Sequence, residues 1–212
     1  MLLSQAQAGP AHTLPCELRD YPQWHRGRQR YAVWSIAVDC PAVLARMQAA
    51  RELLGDWLHP AYQRQAHITL FVCGFIASQR QHPDDFTAPQ LERQSQALAQ
   101  LRPRAFGLQI GGLDSFASAA FLQVADQRQQ LPLLRRQLAG AATEVRQAPY
   151  CPHLTLGLYR QRIAAEAWRE RAAALAELPP LPLAVTELHY CSYQAQQLFG
   201  PLRVERRLPL AG

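Results

Sequence analysis

Two short stretches hold the side chains best suited to chemistry: His67-Ile68-Thr69-Leu70 and His153-Leu154-Thr155-Leu156. Each lies in an apolar run of strand length, and strand side chains alternate faces, so His and Thr share one face and the two apolar residues share the other. An imidazole with an ordinary pKa near ~6.5 takes or gives a proton at neutral pH, so two of them can act as general base and general acid. A hydroxyl two residues along the same face can donate to charge developing on a phosphate oxygen. This chemistry needs no metal or other cofactor, with His67 and His153 as candidate catalytic acid and base and Thr69 and Thr155 as candidate donors to a phosphate. With 7 His among 212 residues, a Thr two places after a His is expected roughly 0.2 times, yet it occurs twice in matching frames.

The paired motif resembles the signature of the two-histidine (2H) phosphoesterase superfamily, whose best-known branch is the 2′-5′ RNA ligase and RNA 2′,3′-cyclic phosphodiesterase group. The resemblance covers residues 31 to 205. It implies two lobes that each line a central cleft with one motif strand, and an enzyme that opens 2′,3′-cyclic phosphate ends of RNA or oligonucleotides to a 2′-phosphate. It also implies that His67 protonates the leaving oxygen while His153 activates the water. The RNA branch commonly has an aromatic five residues after the first motif His and an Arg five after the second, where this chain has Val72 and Leu158. Arg160 is a candidate for the missing cation, and His189 and Tyr190 are candidates for substrate contact. These departures leave open a small cyclic nucleotide, a cyclic oligonucleotide or an ADP-ribose cyclic phosphate as substrate. A third reading is RNA binding without catalysis.

Composition narrows the alternatives. All 22 basic residues are Arg, because the chain contains no Lys. A ligase working through an adenylated lysine, a Schiff-base enzyme and a Walker-type ATPase all need that amine. The net charge of +6 and arginine's planar fork fit an anionic partner, RNA or a nucleotide. Five cysteines, Cys16, Cys40, Cys73, Cys151 and Cys191, form no Cys-x-x-Cys pair and read as reduced thiols rather than a zinc knuckle or disulfide scaffold. No apolar run approaches the ~20 residues of a membrane helix, so the expectation is a cytoplasmic monomer without membrane contact.

The elements that must position the motifs are read from periodicity. Residues 1–30 read as an irregular arm, with Tyr21, Trp24 and Tyr31 able to dock it. A buried strand over Tyr31–Val38 precedes a helix capped by Asp39 that reaches Leu58, and the first motif strand spans Ala66–Ile76. A second helix runs to Leu101, and the alternation from Phe106 to Val124 predicts a hairpin. A helix over Leu134–Val145, the second motif strand, a helix over Ile163–Leu178 and strands over Leu183–Ser192 and Leu198–Leu208 repeat the order. The pattern predicts an α+β fold within residues 31–212, internally duplicated with antiparallel sheets lining the cleft and helices outside. The lobes are expected at 41–125 and 128–208, each built as helix, motif strand, helix and hairpin.

Overall fold

The computed structural model describes residues 1–60, 62–146 and 148–212. In chain order the elements are α1 (Pro22–His25), β1 (Arg30–Ala37), α2 (Pro41–Leu54), β2 (His67–Ala77), β3 (Asp85–Thr87), α3 (Ala88–Leu101), β4 (Phe106–Ser115), β5 (Ala119–Ala125), α4 (Gln130–Ala141), β6 (His153–Leu158), α5 (Ala165–Ala176), β7 (Leu181–Val185), β8 (Glu187–Gln194) and β9 (Arg203–Pro209). Local chemistry explains the helix starts. Pro41 lies in the first turn of α2, where a missing N–H costs nothing, with Cys40 rather than Asp39 at the N-cap. Thr87 and Gln90 form a capping box that opens α3.

The strands form one sheet in the order β7-β4-β5-β6-β2-β1-β8-β9, with β3 added parallel to β2 and every other pair antiparallel. The helices cover one face, α2 and α5 over the β6 and β4 side, α3 and α4 over the β2 and β3 side. Between helices and sheet lies a core that includes Trp34, Ile36, Ile68, Leu122, Leu154 and Trp168. This is the expected α+β architecture with helices outside and a curled antiparallel sheet.

The sheet has an internal symmetry centred on one residue pair. β2 and β6 meet at Ile68 and Leu154, and from there the order outward is β1, β8, β9 on one side and β5, β4, β7 on the other. The equivalent units are therefore β1-α2-β2-α3-β4 and β5-α4-β6-α5-β8, each starting a strand earlier than the helix-first unit read from the sequence. The two halves interleave along the chain and do not coincide with residues 41–125 and 128–208, since β2 lies in one half and β4 and β5 in the other. The apolar run expected as one strand over Leu183–Ser192 also divides. The chain crosses at Thr186, so that β7 pairs with β4 while β8 pairs with β1 in the opposite half. Both pieces carry the same alternating signal, and only long-range pairing separates them.

Each motif strand holds one extra residue just past its Thr. In β2 the register passes from Thr69 opposite Ser35 to Phe71 opposite Trp34, skipping Leu70. In β6 it passes from Thr155 opposite Phe121 to Gly157 opposite Ala120, skipping Leu156. A bulge disrupts the ladder locally and reverses the facing parity of the residues beyond it, which returns Val72 and Leu158 to the face of the threonines. An arginine then takes each bulge carbonyl: Arg135 of α4 donates to Leu70 O, and Arg51 of α2 donates to Leu156 O at 2.9 Å. Arg135 also stacks 3.7 Å above Tyr150 and pairs with Glu144, while Arg51 lies 5.9 Å from the Tyr62 ring. Each helix thus braces the motif strand of the other unit.

The arm over residues 1–30 contains only α1 as regular structure before β1 begins, and it is docked along its length. Leu3 is fully buried and donates its N–H to Ser115 O at 2.9 Å. Thr13 is buried between Gln161 O and the Ile163 N–H, and Trp24 packs on Tyr31 and Phe75 at 5.1 and 4.9 Å. Arg28 then pairs with Asp84 and Asp85. Among the described residues no helix is long and apolar enough to cross a membrane.

The braces carry a stability prediction. Arg51→Ala and Arg135→Ala each leave a bulge carbonyl without its donor, and each should cost about 1–3 kcal/mol in urea melts. Arg135→Ala should be the more costly, because it also leaves the half-buried Glu144 without its main partner.

Candidate active site

The meeting of β2 with β6 sets the geometry of the motif residues. Continuing the antiparallel register of Ile68 and Leu154 by one residue each way sets His67 opposite Thr155 and Thr69 opposite His153. Directly opposed Cβ atoms lie about 4.5–5.5 Å apart, so all four polar side chains form one cluster on the face away from the helices. Ile68 and Leu154 themselves are fully buried on the helix side, as the alternation requires. His67, Thr69, His153 and Thr155 are all half-buried.

The two histidines are held in the same way. His67 Nδ1 lies 2.8 Å from Gln65 O, and His153 Nδ1 lies 2.7 Å from Cys151 O. A carbonyl only accepts, so Nδ1 carries the proton in both neutral rings and Nε2 presents its lone pair. Neither Nε2, nor either Thr hydroxyl, has a hydrogen-bond partner among the described residues. Gln65 is itself fixed by exchanging two hydrogen bonds with Leu202, at 3.2 and 2.7 Å.

The surroundings favour the neutral rings. Burial lowers the His67 pKa to about 4, with the nearby charges of Arg64 and His153 adding to the effect and the Gln65 carbonyl opposing it. Burial also lowers the His153 pKa, aided by Arg146 and opposed by the Cys151 carbonyl. Phe116 meets the His153 ring edge-on at 5.0 Å, and Phe121 lies 5.4 Å away. Tyr150 donates to Thr69 O at 3.0 Å, tying the approach to β6 onto β2. Arg64 donates to Gly200 O and Leu198 O and stacks on Tyr193, and Arg146 pairs with Glu144; an anion held between the rings would raise both His pKa values.

Arg64, Arg146, Phe116 and Tyr150 lie outside the motifs, and sequence reasoning did not single them out. For Arg64 and Arg146 the available signal was position, since both lie in the connections that lead into a motif strand.

The other sequence candidates fall elsewhere. Arg160 lies five residues past Thr155, roughly 16 Å along an extended chain, and its exposed guanidinium donates to Asp56 O at 2.6 Å. His189 shares the face of Thr69 through their common neighbour Ser35, but it is 5% exposed and engaged with Glu187 at 2.6 Å and Arg207 at 3.1 Å. Tyr190 points to the opposite, helix-covered face, where it packs against Trp34 and Phe86 at 5.6 and 6.0 Å. The alternation that makes neighbouring strand residues look equally available sends His189 and Tyr190 to different faces. Among the described residues no three His, Cys, Asp or Glu side chains gather as a metal site.

Comparison with known proteins agrees with this architecture. No curated protein matches the chain. Among solved structures it is similar to E. coli LigT complexed with phosphate, at 16% identity and a TM-score of 0.56 over 88% of this chain and 100% of that one. It is also similar to TT0787 of Thermus thermophilus (14% identity, TM-score 0.54, 86% and 98% covered). A third similar structure is Kluyveromyces marxianus Usb1 with uridine monophosphate (15% identity, TM-score 0.52, 86% and 98% covered). At such identities these likenesses speak for the fold. The model of the 2′-5′ RNA ligase superfamily matches residues 40–197, which contain both motif strands and most of both sheet halves. The chain therefore belongs to the 2′-5′ RNA ligase superfamily of 2H phosphoesterases.

Proposed function

We propose that this phosphoesterase opens 2′,3′-cyclic phosphate ends of RNA or oligonucleotides to a 2′-phosphate. The observation that carries the reading is the matched pair of imidazoles, each with Nδ1 spent on a backbone carbonyl, Nε2 free and the other strand's threonine opposite. The substrate phosphate sits between the rings, its non-bridging oxygens taking hydrogen bonds from Thr69 and Thr155. Neutral His153 accepts a proton at Nε2 from the attacking water as its oxygen bonds to phosphorus. Protonated His67 gives its Nε2 proton to the 3′ oxygen as the P–O3′ bond breaks, leaving a 3′ hydroxyl and a 2′-phosphate. Arg64 and Arg146 supply positive charge at the rim, which supports an anionic substrate in this position. That phosphate and uridine monophosphate occupy the similar structures of LigT and Usb1 supports the same substrate class.

His67→Ala and His153→Ala should each remove most of kcat/KM, with the double variant little worse than either, because the pair acts as a unit. Thr69→Ala and Thr155→Ala each remove one donor and should cost about 10- to 1000-fold, less than the histidine variants. An activated leaving group should rescue His67→Ala and not His153→Ala; the opposite pattern exchanges the roles. A panel of cyclic-ended RNA, 2′,3′-cyclic mononucleotides, cyclic dinucleotides and ADP-ribose cyclic phosphate checks the substrate class. Salt-sensitive RNA binding with no turnover on any of them sinks the enzymatic reading.

The depressed pKa values give the pH dependence its sign. Free enzyme governs kcat/KM, so its bell should lie on the acid side of the ordinary histidine pKa of ~6.5, and the bell for kcat should lie higher, because bound phosphate raises both rings. Stability moves with the same protons. The unfolded chain binds a proton on His67 near ~6.5 and the folded chain only near 4, so stability should fall as pH drops through that window. His67→Gln should flatten this slope in melts taken across it. Because no carboxylate or Cys/His cluster accompanies the rings among the described residues, turnover should survive EDTA; loss with rescue by Zn²⁺ or Mn²⁺ contradicts the mechanism.

A further inference from the structure

The face that carries His153 continues outward into a cavity of about 270 Å³, walled on one side by Leu2 of the arm. Its floor comes from Gly111, Phe121 and Gln123, and Cys151 and Pro152 close the side toward β6. Strand alternation confirms which face this is: Gln123 pairs with His153 and Phe121 with Thr155, so all four lie on the cleft side. One strand spacing, about 4.8 Å, separates Gln123 from His153.

The arm is locked over this floor through Asp114, which is 1% exposed. Three donors converge on its carboxylate: Ser4 Oγ at 2.9 Å, Gln123 Nε2 at 3.0 Å and the Ser115 N–H at 2.7 Å. Because a carboxylate partner requires the Gln123 amide to turn its NH₂ inward, its Oε1 is left as an acceptor, and it has no donor among the described residues. Gly111 keeps the floor low, since a Cβ there would lie 3.3 Å from the Gln123 Cβ. The result is a small, open and mostly apolar slot with the Gln109 amide at its side and one oriented acceptor on the exposed Gln123, next to His153 and below the roughly 300–1,000 Å³ of a drug-sized site. A flat heteroaromatic ring with a donor on its edge has that size and chemistry.

We propose that the N-terminal arm completes a nucleobase pocket beside His153, with Phe121 on its floor, Leu2 as its wall and Gln123 Oε1 accepting from a donor on the base edge. This rests on the reading that the cyclic phosphate lies between His67 and His153, because the base must belong to the nucleotide held there. Of the residues around the slot, Leu2 alone lies outside residues 40–197, where the family model matches.

Calorimetry separates the pocket from the phosphate site. The probes are adenosine 2′-monophosphate, whose exocyclic amine can donate to Gln123, and ribose 2-phosphate, which has no base. The intact protein should bind the nucleotide about 10-fold or more tightly than the sugar phosphate. Leu2→Ser and Gln123→Ala should each remove most of that difference while ribose 2-phosphate binding stays within about 2-fold. Equal affinities in the intact protein, or a difference that survives both substitutions, would overturn the pocket. A preserved difference in a protein that turns over no cyclic phosphate would count against the phosphodiesterase reading and leave the pocket standing.

Discussion

A single antiparallel contact, Ile68 against Leu154, sets the rest of the molecule. Both side chains are fully buried against the helices, so their neighbours in sequence must face the other way. That one register brings two His-x-Thr strands into a crossed square in which each imidazole faces the other strand's hydroxyl. A slip of either strand by one residue would turn its His and Thr into the core and its two apolar partners out to solvent.

Each of these strands also departs from regular pairing with its outer neighbour just beyond its threonine. The bulges at Leu70 and Leu156 leave carbonyls that the ladder does not use, and arginines from α2 and α4 take them. These arginines each come from the chain unit whose own motif strand is the other one, so the two interleaved units cannot separate without breaking the braces. The same interleaving ties Tyr150, just before β6, to the backbone of Thr69 in β2. Geometry at the site is thus maintained by contacts that cross the pseudo-two-fold rather than by either half alone.

Burial beside Phe116 and Phe121, together with the charges of Arg64 and Arg146, favours the neutral form of both rings, and an anion held between them would favour the protonated form. The symmetry stops at the arm, which covers the β4 and β5 side through Leu3, Ser4 and Asp114 and reaches the other half through Trp24 and Arg28. An internally duplicated scaffold has two similar faces, and a segment that docks differently on each is a simple way to make them chemically unequal.

Much of this was readable in the sequence because the signals are short-range. Period-two alternation placed His67 with Thr69 and His153 with Thr155, and apolar spacing with Asp and Pro near helix starts located α2, α3 and β4–β5 within a few residues. The missing lysines excluded whole mechanisms without any structure. What the sequence could not determine was partnership. Nothing local distinguishes β7 from β8, yet a crossing at Thr186 sends them to different halves, and nothing local shows that His189 faces the cleft side while Tyr190 enters the core. Arg160 looked available because it lies close to the motif in sequence, but an extended chain carries it roughly 16 Å beyond Thr155. The bulges, their arginine braces, Arg64 and Arg146 beside the histidines and the docking of the arm all join residues far apart in the chain. Those pairings are chosen by the packing of the whole sheet, so only the tertiary structure could decide them.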